Sequence, residues 1–310
     1  MIKKILLSWF DNQIKENEYT KRKFIDNEID WYRVIPFILI HLACFFVFYV
    51  GYSHVALFCF ILLYVIRMFA ITGFYHRYFS HKTFKTSRVM QFIFAILGAS
   101  AGQRGPLWWA AHHRKHHIHS DQEHDLHSPH INSFFWSHTG WFLSKKNFLT
   151  DHKMVRELNT FKELKIIDRF DILIPILLML FLYFLGEVLS AKAPHLNTNG
   201  AQLLVWGFVL STVLLYHATF LINSASHVWG KRRYNTDDRS KNNWLLALIT
   251  FGEGWHNNHH HHCGSVKQGF YWWEIDITYY LLRTLSWLGV IWDLRTVSTN
   301  IRNANRIDRS

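Results

Sequence analysis

The chain has 310 residues, half of them apolar and 17% aromatic, with 22 histidines and a formal net charge of +12. Its length allows one large domain or two modest ones. A nucleic-acid-binding protein would need a basic face on a soluble domain, whereas the Lys and Arg residues here flank apolar stretches. We therefore expect a membrane protein with no nucleic-acid partner.

Three cysteines are too few for a disulfide framework. Cys44 and Cys59 lie in apolar stretches and are interpreted as small buried hydrophobic residues. Cys263 follows a histidine run and could be a soft metal ligand, but a thiol with no function is the favoured interpretation. Residues 1–23 have too short an apolar run for a signal peptide and no small-residue cleavage site, and their periodicity predicts an amphipathic helix on the membrane surface.

A helix needs about 20 apolar residues to cross a hydrocarbon core of about 30 Å. The stretches that meet this length are 34–52, 55–75, 172–189 and 202–222. Short loops around Ser53 and His195 join them in pairs, so each pair is predicted to form a helical hairpin. Two further apolar runs, 89–101 and 281–294, are too short to span and are predicted to be interfacial or re-entrant helices.

Basic residues set the predicted orientation of the spans. Nearly all Lys and Arg lie in the N-terminal segment, in residues 76–171 and in the tail from Lys231 onward, whereas the hairpin loops hold only Lys192. By the positive-inside rule, both termini and the middle segment are then cytosolic. We predict one all-α integral membrane domain over the whole chain, with a cytosolic helical cap of residues 76–171 and 223–310 that carries a di-metal site.

Candidate metal ligands lie at regular spacing in three polar segments, H-R-Y-F-S-H, H-R-K-H-H and H-N-N-H-H. They are His76, His81, His113, His116, His117, His256, His259 and His260. In a helix, positions i, i+3 and i+4 share one arc of the surface, so the second and third boxes are each predicted to direct three imidazoles the same way. A five-residue step does not share a face, so a helix end or a bend is expected between His76 and His81.

Any one histidine is more simply explained as a surface or satisfied core residue, but eight at this spacing on one predicted membrane side are not. Imidazole suits Fe, Zn, Cu or Ni, so the ligands alone leave the metal open. One zinc ion takes three or four ligands, so eight or more indicate two ions, and neutral imidazoles favour a redox metal. Nearby carboxylates could orient the ligands, although each alone is more simply a solvated surface charge. They are Asp121, Glu123, Asp125, Glu253, Glu274 and Asp276.

The motifs GFYHRYFSHKTFKTSR, QRGPLWWAAHHRKHH, WSHTGW, INSASH, EGWHNNHH and YWWEID follow one another along the chain. Together with four spans, they resemble the membrane-bound fatty acyl desaturases of the stearoyl-CoA (delta-9) desaturase family, particularly its bacterial members. The resemblance runs from about Ile71 to Arg295. It implies that the eight box histidines are iron ligands, that His227 is a ninth, and that Asn223 contacts the site through water.

The resemblance also implies where the substrate lies. The family holds the acyl chain in a kinked apolar tunnel, and Gln103, Trp109 and Thr219 match positions that shape the kink. Lys145 and Lys146 match basic residues that contact the coenzyme A head group. We therefore expect these five residues to bind the substrate.

The chain departs from the family pattern just before the second box. Ala111 and His112 stand where animal members have Arg-Asp, so part of the coenzyme A contact is missing. An acyl-CoA and an acyl-lipid both stay open as the substrate. His119, His261 and His262 fall outside the pattern of ligands, as does His112.

Three residues of the second span have two interpretations each. Arg67 is expected to snorkel toward the cytosolic end or to pair within the helix bundle, in preference to a catalytic role. Phe60 and Tyr64 could cap the tunnel and set the chain length, but packing within the bundle is the simpler role for both.

The implied reaction introduces a cis double bond, expected at delta-9, into a saturated acyl chain. Acid–base side chains do not break unactivated C–H bonds, so two Fe ions with O2 as co-substrate are the implied cofactors. No cytochrome b5-like H-P-G-G motif is present. A separate donor protein of the cytochrome b5, ferredoxin or flavoprotein type is expected to dock on the basic cytosolic face. The membrane is expected to be a bacterial inner membrane.

Two other functions stay open from the sequence. A hydroxylase of the same di-iron type would add an oxygen atom to the lipid where a desaturase removes two hydrogens. A histidine-rich metal transporter or sensor would place its ligands near the bilayer midplane. The boxes lie beyond the ends of the predicted spans, which argues against the transporter.

Overall fold

The computed structural model describes residues 7–21 and 28–307, and regular structure there is almost wholly helical. The helices are α1 Asn12–Tyr19, α2 Trp31–Val50, α3 His54–Ser80, α4 Arg88–Ala99, α5 Pro106–His119, α6 Lys162–Arg169, α7 Leu173–Lys192, α8 Gly200–Val228, α9 Trp244–Ile249, α10 His256–His261, α11 Ile277–Trp287 and α12 Thr299–Asn303. Single 3₁₀ or π turns lie at Trp136–Gly140, Trp141–Leu143, Lys146–Phe148, His152–Val155, Leu158–Thr160 and Pro194–Leu196. Two short strands, β1 Lys85–Thr86 and β2 Ile291–Trp292, pair antiparallel.

Four helices, α2, α3, α7 and α8, are long and apolar enough to cross a membrane. α3 and α8 include the predicted spans 55–75 and 202–222 and run beyond them to Ser80 and Val228, whereas α2 ends two residues before the end of span 34–52 and α7 begins one residue after the start of span 172–189. The extensions of α3 and α8 carry His76 and His227. The predicted all-α membrane fold with four spanning helices is confirmed.

The two loops of the helical hairpins touch each other at the end of the spans remote from the histidine boxes. Gly51 turns the chain with φ 67°, a conformation that glycine adopts without strain. Ser53 then caps α3 by accepting a hydrogen bond from the Ala56 amide at 3.0 Å. The Ser53 hydroxyl also donates to Thr198 Oγ1 at 2.9 Å, which fixes one hairpin against the other.

Arg67 is fully buried in α3 and binds α8. Its Nη1 donates to Thr212 Oγ1 at 2.6 Å, its Nη2 donates to the Ser211 hydroxyl, and its Nε donates to the Leu63 carbonyl at 3.1 Å. The expectation that Arg67 pairs within the bundle is therefore confirmed, and snorkelling is wrong. Hydroxyl partners are available because α8 presents Ser211 and Thr212 immediately after its π-helical segment Leu203–Leu210.

The cap consists of residues 81–172 and 229–307, and α1 packs on it. The apolar run 89–101 forms α4, as predicted. The run 281–294 does not form a single helix, so that prediction was wrong. α11 ends at Trp287, and the chain turns at Gly289 (φ 71°) into β2, whose backbone pairs with β1.

Helix α2 is held by polar contacts at its edges more than by packing, since none of its residues is buried. A chain of three histidines joins it to α8 and the cap. Nε2 of His41 lies 3.0 Å from Nε2 of His217, whose Nδ1 lies 3.0 Å from Nε2 of His138. At the start of α2, the Arg33 guanidinium pairs with Asp30 at 3.1 Å. These contacts fix the position of α2 although none of its residues is buried.

Candidate metal centre

His76 and His81 face the same space because the end of α3 is π-helical from Ala70 to Ser80. A π-helix closes i to i+5 hydrogen bonds, so residues five apart lie nearly above one another. The His81 amide donates to the His76 carbonyl at 3.3 Å, and the two rings lie 4.9 Å apart. The expected helix end is present at His81, and the π winding accounts for the five-residue step.

Helix α5 carries the second box, and its start is fixed by contacts with α6. Gly105 precedes the helix and Pro106 opens it, a common arrangement at a first turn. Asp168 of α6 accepts hydrogen bonds from the amides of Leu107 and Trp108, both at 3.0 Å. A side chain at Gly105 would place its Cβ 2.4 Å from Asp168 Cα, so only glycine fits there.

The asparagines of the H-N-N-H-H box anchor α10. Asn257 and Asn258 are fully buried. Asn257 Oδ1 accepts from the amides of Arg233 and Tyr234 at 2.8 and 2.7 Å. Asn258 Nδ2 donates to Glu274 Oε2 at 3.0 Å. The short helix is therefore held by side chains on its inner face, and its histidines are fixed in direction.

The nine predicted histidines gather in two groups. Group A comprises His76, His81, His113, His117 and His259, whose ligand atoms all lie within 4.8 Å of one another. Nε2–Nε2 distances are 3.0 Å for His76–His259, 2.7 Å for His81–His113, 3.0 Å for His113–His117 and 2.9 Å for His117–His259. Ligands about 2.1 Å from one ion and at right angles to each other would lie about 3.0 Å apart, so this spacing suits a single ion.

Group B comprises His116, His227, His256 and His260, again with ligand atoms within 4.8 Å of one another. Nε2 of His227 lies 3.1 Å from Nε2 of His256. The Nε2 atoms of His116 and His260 are buried and have no hydrogen-bond partner. Buried polar atoms are normally satisfied, so this pair of unpartnered nitrogens indicates a ligand position for a second ion.

Each of the last two boxes contributes to both groups, so the prediction that a box directs three imidazoles the same way was wrong. His113 and His117 belong to group A, while His116 between them belongs to group B. The third box mirrors this, with His256 and His260 in group B and His259 in group A. Adjacent helical positions are about 100° apart around the helix axis, so two consecutive histidines point into different groups.

Four histidines of the two groups have a carboxylate at Nδ1, the ring nitrogen opposite Nε2. Nδ1–carboxylate distances are 2.5 Å for His76–Glu253, 2.9 Å for His116–Asp125, 2.8 Å for His227–Asp121 and 2.5 Å for His260–Asp238. A proton held at Nδ1 donates to the carboxylate and leaves the Nε2 lone pair free for a metal. The carboxylates thus fix both ring orientation and tautomer.

Most of the candidate carboxylates are not the solvated surface charges that the simpler interpretation proposed. Asp125, Glu253, Glu274 and Asp276 are buried. Glu274 bonds to Asn258, and Asp276 pairs with Arg77 at 2.9 Å, so these two support the ligand helices rather than the ligands. Among the six candidates, Glu123 is exposed, as the simpler interpretation expected.

Burial favours the neutral form of several of the clustered imidazoles, which is the form that binds metals. Burial lowers the pKa of five of them well below the ordinary histidine value. These are His81, His113, His117, His256 and His259. Burial also acts to lower the pKa of His116, but the charge of Asp125 outweighs it and raises that pKa above the ordinary value.

These donors fit a pair of redox-active transition metal ions better than structural zinc. Zinc in structural sites is tetrahedral with four ligands, whereas group A offers five nitrogens at right-angle spacing. All nine donors are imidazoles, which suit iron, copper and nickel as well as zinc. The ring of His117 stacks on that of His260 at 4.5 Å, so the two groups adjoin.

An apolar cavity of about 570 Å³ extends to the metal centre. Its wall includes His113 of group A and three of the predicted substrate residues, Gln103, Trp109 and Thr219. Gln103 Nε2 donates to Thr219 Oγ1 at 2.9 Å, which joins two walls of the cavity, and Trp109 stacks on His113 at 5.1 Å. Asn223 also lines the cavity, one turn of α8 before the ligand His227.

The remaining predicted substrate residues lie away from the cavity wall. Lys145 forms an ion pair with Glu28, and its amide donates to the Glu28 carbonyl at 2.8 Å. Neither Lys145 nor Lys146 lines the cavity. Phe60 and Tyr64 do not line it either, since Phe60 packs edge-on against Trp206 and Tyr64 donates to the Ile249 carbonyl at 2.7 Å. Packing is thus their observed role.

Two residues of the centre were missed by sequence reasoning. Asp238 lies in a polar loop without a histidine nearby in the chain, and only the fold brings it to His260. His127 is buried, lines the cavity and stacks on His116 at 4.2 Å, and its Nδ1 has no hydrogen-bond partner. The sequence feature that could have indicated His127 was its position two residues after Asp125, one of the candidate carboxylates.

The histidines outside the ligand pattern have other contacts. His112 lines the cavity with its Nδ1 2.9 Å from the Trp108 carbonyl, and burial lowers its pKa to about 3. His261 stacks on Tyr234 at 3.9 Å. Neither residue belongs to group A or group B, and the same holds for His262 and Cys263.

Comparison with known proteins agrees with this geometry. The sequence matches the family model for Fatty acid desaturase over residues 52–287. It is 33% identical over 282 residues to the sn-1 stearoyl-lipid 9-desaturase of Anabaena variabilis, which covers 90% of this chain and 96% of that protein. The chain therefore belongs to the fatty acid desaturase family and is an oxidoreductase of the desaturase class.

The names of two plant relatives specify different molecules that carry the acyl chain. The chloroplastic palmitoyl-monogalactosyldiacylglycerol delta-7 desaturase of Arabidopsis thaliana is 37% identical over 241 residues, which is 76% of this chain and 61% of that protein. The acyl-CoA C20 Delta5-desaturase of Anemone leveillei is 34% identical over 243 residues, or 77% of this chain and 73% of that protein. The chain thus spans about three fifths of the Arabidopsis protein.

Proposed function

We propose that the protein is an oxygen-dependent fatty acyl desaturase that introduces a cis double bond, at delta-9, into a saturated acyl chain. The observation that carries this proposal is an apolar cavity lined by His113 of group A, with the histidines of group B adjoining that group. An apolar cavity of this volume suits a substrate that is nearly all methylene. The relatives named for acyl-lipids and acyl-CoA support a fatty acyl substrate of either kind.

The nine histidines would hold two iron ions, five ligands at group A and four at group B. The open place at group B would be filled by water held by Asn223. Iron bound there would supply the activation of dioxygen that side chains alone cannot provide. The carboxylates at Nδ1 align the imidazoles and fix their tautomer, so the positions of both ions would be set before the substrate arrives.

The cavity residues would select the carbons that react. The hydrogen bond between Gln103 and Thr219 holds two walls together beside the metal centre. Trp109, stacked on His113, would press the chain toward group A. Binding in one register decides which methylenes face the ions, and a misplacement of about 1 Å is enough to slow such a reaction.

The reaction needs a source of electrons and protons besides the lipid. Two adjacent methylenes lose two hydrogens, and dioxygen is reduced to two molecules of water, so two electrons and two protons must come from elsewhere. We propose a separate donor protein of the cytochrome b5, ferredoxin or flavoprotein type. The basic residues of the cap would place its docking face in the cytosol, with both termini, and the membrane would be a bacterial inner membrane.

Expression in a host that makes no unsaturated fatty acids tests the proposal. Mass spectrometry of the lipids should show chains that are two mass units lighter, and mapping should place the double bond at carbon 9. A variant His116→Ala should abolish the product, while His119→Ala, in the same helix but outside both groups, should retain it. Chains that gain an oxygen atom would indicate a hydroxylase, and unchanged lipids would refute both activities.

A further inference from the structure

On the side of the cap, α1 and the residues just before it cover the apolar cavity. Ser8 and Lys15 line it there and are only 8% and 4% exposed. Helix α1 is fastened over this side, because Arg104 Nη1 donates to Asn12 Oδ1 and Asn12 Nδ2 donates to the Asp168 carbonyl, both at 2.9 Å. A substrate arriving from the aqueous side would have to displace these contacts.

The same cavity is open on the side of the membrane. Leu39 of α2 lines it and is 58% exposed, and Ile172, just before α7, lines it and is 38% exposed. A residue that both lines a cavity and is exposed lies at an opening. Pro36 and Ile176 line the cavity beside them. Each of the four lies within three turns of the cap end of α2 or α7, so the opening lies just inside the bilayer.

Helix α2 is suited to form one side of such an opening. None of its residues is buried, and the polar contacts of Asp30, Arg33 and His41 hold it at its edges. A helix held in this way can move sideways at little cost in packing. The opening between α2 and α7 can therefore widen for a lipid tail.

Two of the three cations near the cap end of the cavity already have a carboxylate partner among the residues that the structure describes. Lys15, Arg33 and Arg104 line it. Arg33 pairs with Asp30 at 3.1 Å, and Arg104 lies 3.5 Å from Asp171. A carrier with several phosphates needs cations that are not already compensated. A head group with little or no net charge does not.

The predicted coenzyme A contact is weakened as well. Lys145 is paired with Glu28, and Ala111 and His112 stand where animal members of the family have Arg-Asp.

We propose that the substrate is an acyl chain of a membrane lipid, which enters the cavity from the bilayer between α2 and α7. This inference rests on the proposed desaturase function and names its substrate class. The head group would stay at the membrane surface beside α1, and the tail would pass Leu39 and Ile172 to reach the metal centre.

Photocrosslinking tests the entry path without turnover. The full-length protein is placed in vesicles containing phosphatidylglycerol whose stearoyl chain carries a diazirine near its middle, and labelled peptides are mapped. A stearoyl-CoA with the same diazirine is the competing probe. We expect the phospholipid to label cavity peptides from α5 and α8. The thioester should label the same peptides at least about fivefold less, because it has no route of entry from the bilayer.

Matched variants test the opening itself. Leu39→Trp and Ile176→Trp should each reduce phospholipid labelling of the cavity by about fivefold or more, because the bulkier ring narrows the path. Ile38→Trp and Leu177→Trp are the controls, since these residues are exposed neighbours that do not line the cavity. Circular dichroism and retention on size exclusion identify any variant that fails to fold.

The outcomes separate the two proposals. Stronger labelling by the thioester, or equal effects of lining and control variants, would overturn entry from the bilayer. Cavity labelling by the phospholipid in a protein that changes no lipid in the expression host would leave the entry path standing and refute the desaturase. Labelling confined to the outer surface of the spans by both probes would refute the cavity as the acyl site.

Discussion

The carboxylate of Asp238 lies 2.5 Å from Nδ1 of His260, although 22 positions separate the two residues in the chain. Asp238 is buried, and its Oδ1 also accepts from the Ser240 amide at 2.9 Å. The contact fixes the ring of His260 so that its buried Nε2, which has no other partner, is directed into group B. A loop residue thus determines the geometry of one metal position.

Replacement of Asp238 by alanine should weaken metal binding at group B. Loss of a carboxylate that orients a metal-bound histidine typically costs about 10- to 100-fold in metal affinity or activity. We expect a loss of that size in lipid desaturation and in the affinity for the second ion, measured by lipid mass spectrometry and metal titration. Asp237→Ala is the control, because the neighbouring Asp237 is exposed. Equal losses in both variants would contradict the assignment.

The hydrogen bond between Gln103 and Thr219 should control the position of the double bond. Thr219→Val keeps the shape of the side chain but leaves the Gln103 amide without its partner, at a cost of about 1–3 kcal/mol. The walls should then loosen, so that double bonds spread to neighbouring carbons and total product falls. Gas chromatography with mass spectrometry of derivatised fatty acids reports both changes. Thr219→Ser retains the hydroxyl and should still place the double bond at a single carbon. A single double-bond position in Thr219→Val would refute the role of this hydrogen bond.

Sequence reasoning located the membrane spans and the histidines that cluster, but not how these histidines divide between two groups. Span length follows from composition, so α2, α3, α7 and α8 were predictable. The i, i+3, i+4 spacing marked His113, His116 and His117 as ligands, yet it could not show that His116 serves a different ion. That division depends on which turn of α5 meets α10, a long-range contact that spacing within one segment does not contain.

The features that hold the clustered histidines in place were even harder to predict from the sequence. The π-helical end of α3 depends on tertiary contacts rather than on residue preference, so only the need for some irregularity before His81 could be inferred. Asp238 carries no local signal, because its partner His260 lies in another segment. His227 was identified through the family motif around it, since its spacing to the boxes is not informative.

Asp168 should make the stability of the protein depend on pH. Burial raises its pKa to about 6, so the folded protein holds this proton more tightly than the unfolded chain, whose aspartates titrate near 3.8. The protonated carboxyl therefore stabilises the fold at acid pH, and that stability is lost as the pH rises from about 4 through 6.

Comparison of Asp168→Asn with the wild type isolates this effect. Asparagine resembles the protonated carboxyl and can still accept from the amides of Leu107 and Trp108. We expect the variant to be more stable than the wild type at pH 7.5, by on the order of 1–3 kcal/mol, and the difference to shrink toward pH 4.5. Thermal unfolding in detergent measures it. A difference that does not vary with pH would contradict the prediction.

The division of the boxes predicts which metal position each histidine serves. His117→Ala should weaken iron binding at group A and leave group B unchanged, whereas His116→Ala, one residue earlier, should do the reverse. Iron Mössbauer spectroscopy of the two variants should therefore show different single-iron spectra, because group A has five imidazoles and group B four. Identical spectra, or loss of both ions in both variants, would mean that the groups do not bind independently.

The most direct test of the account is the metal content of the intact protein, purified from cells grown with iron and measured by inductively coupled plasma mass spectrometry. Two histidine groups predict two iron ions per chain. A single ion per chain, or zinc in place of iron under these conditions, would contradict the di-iron centre.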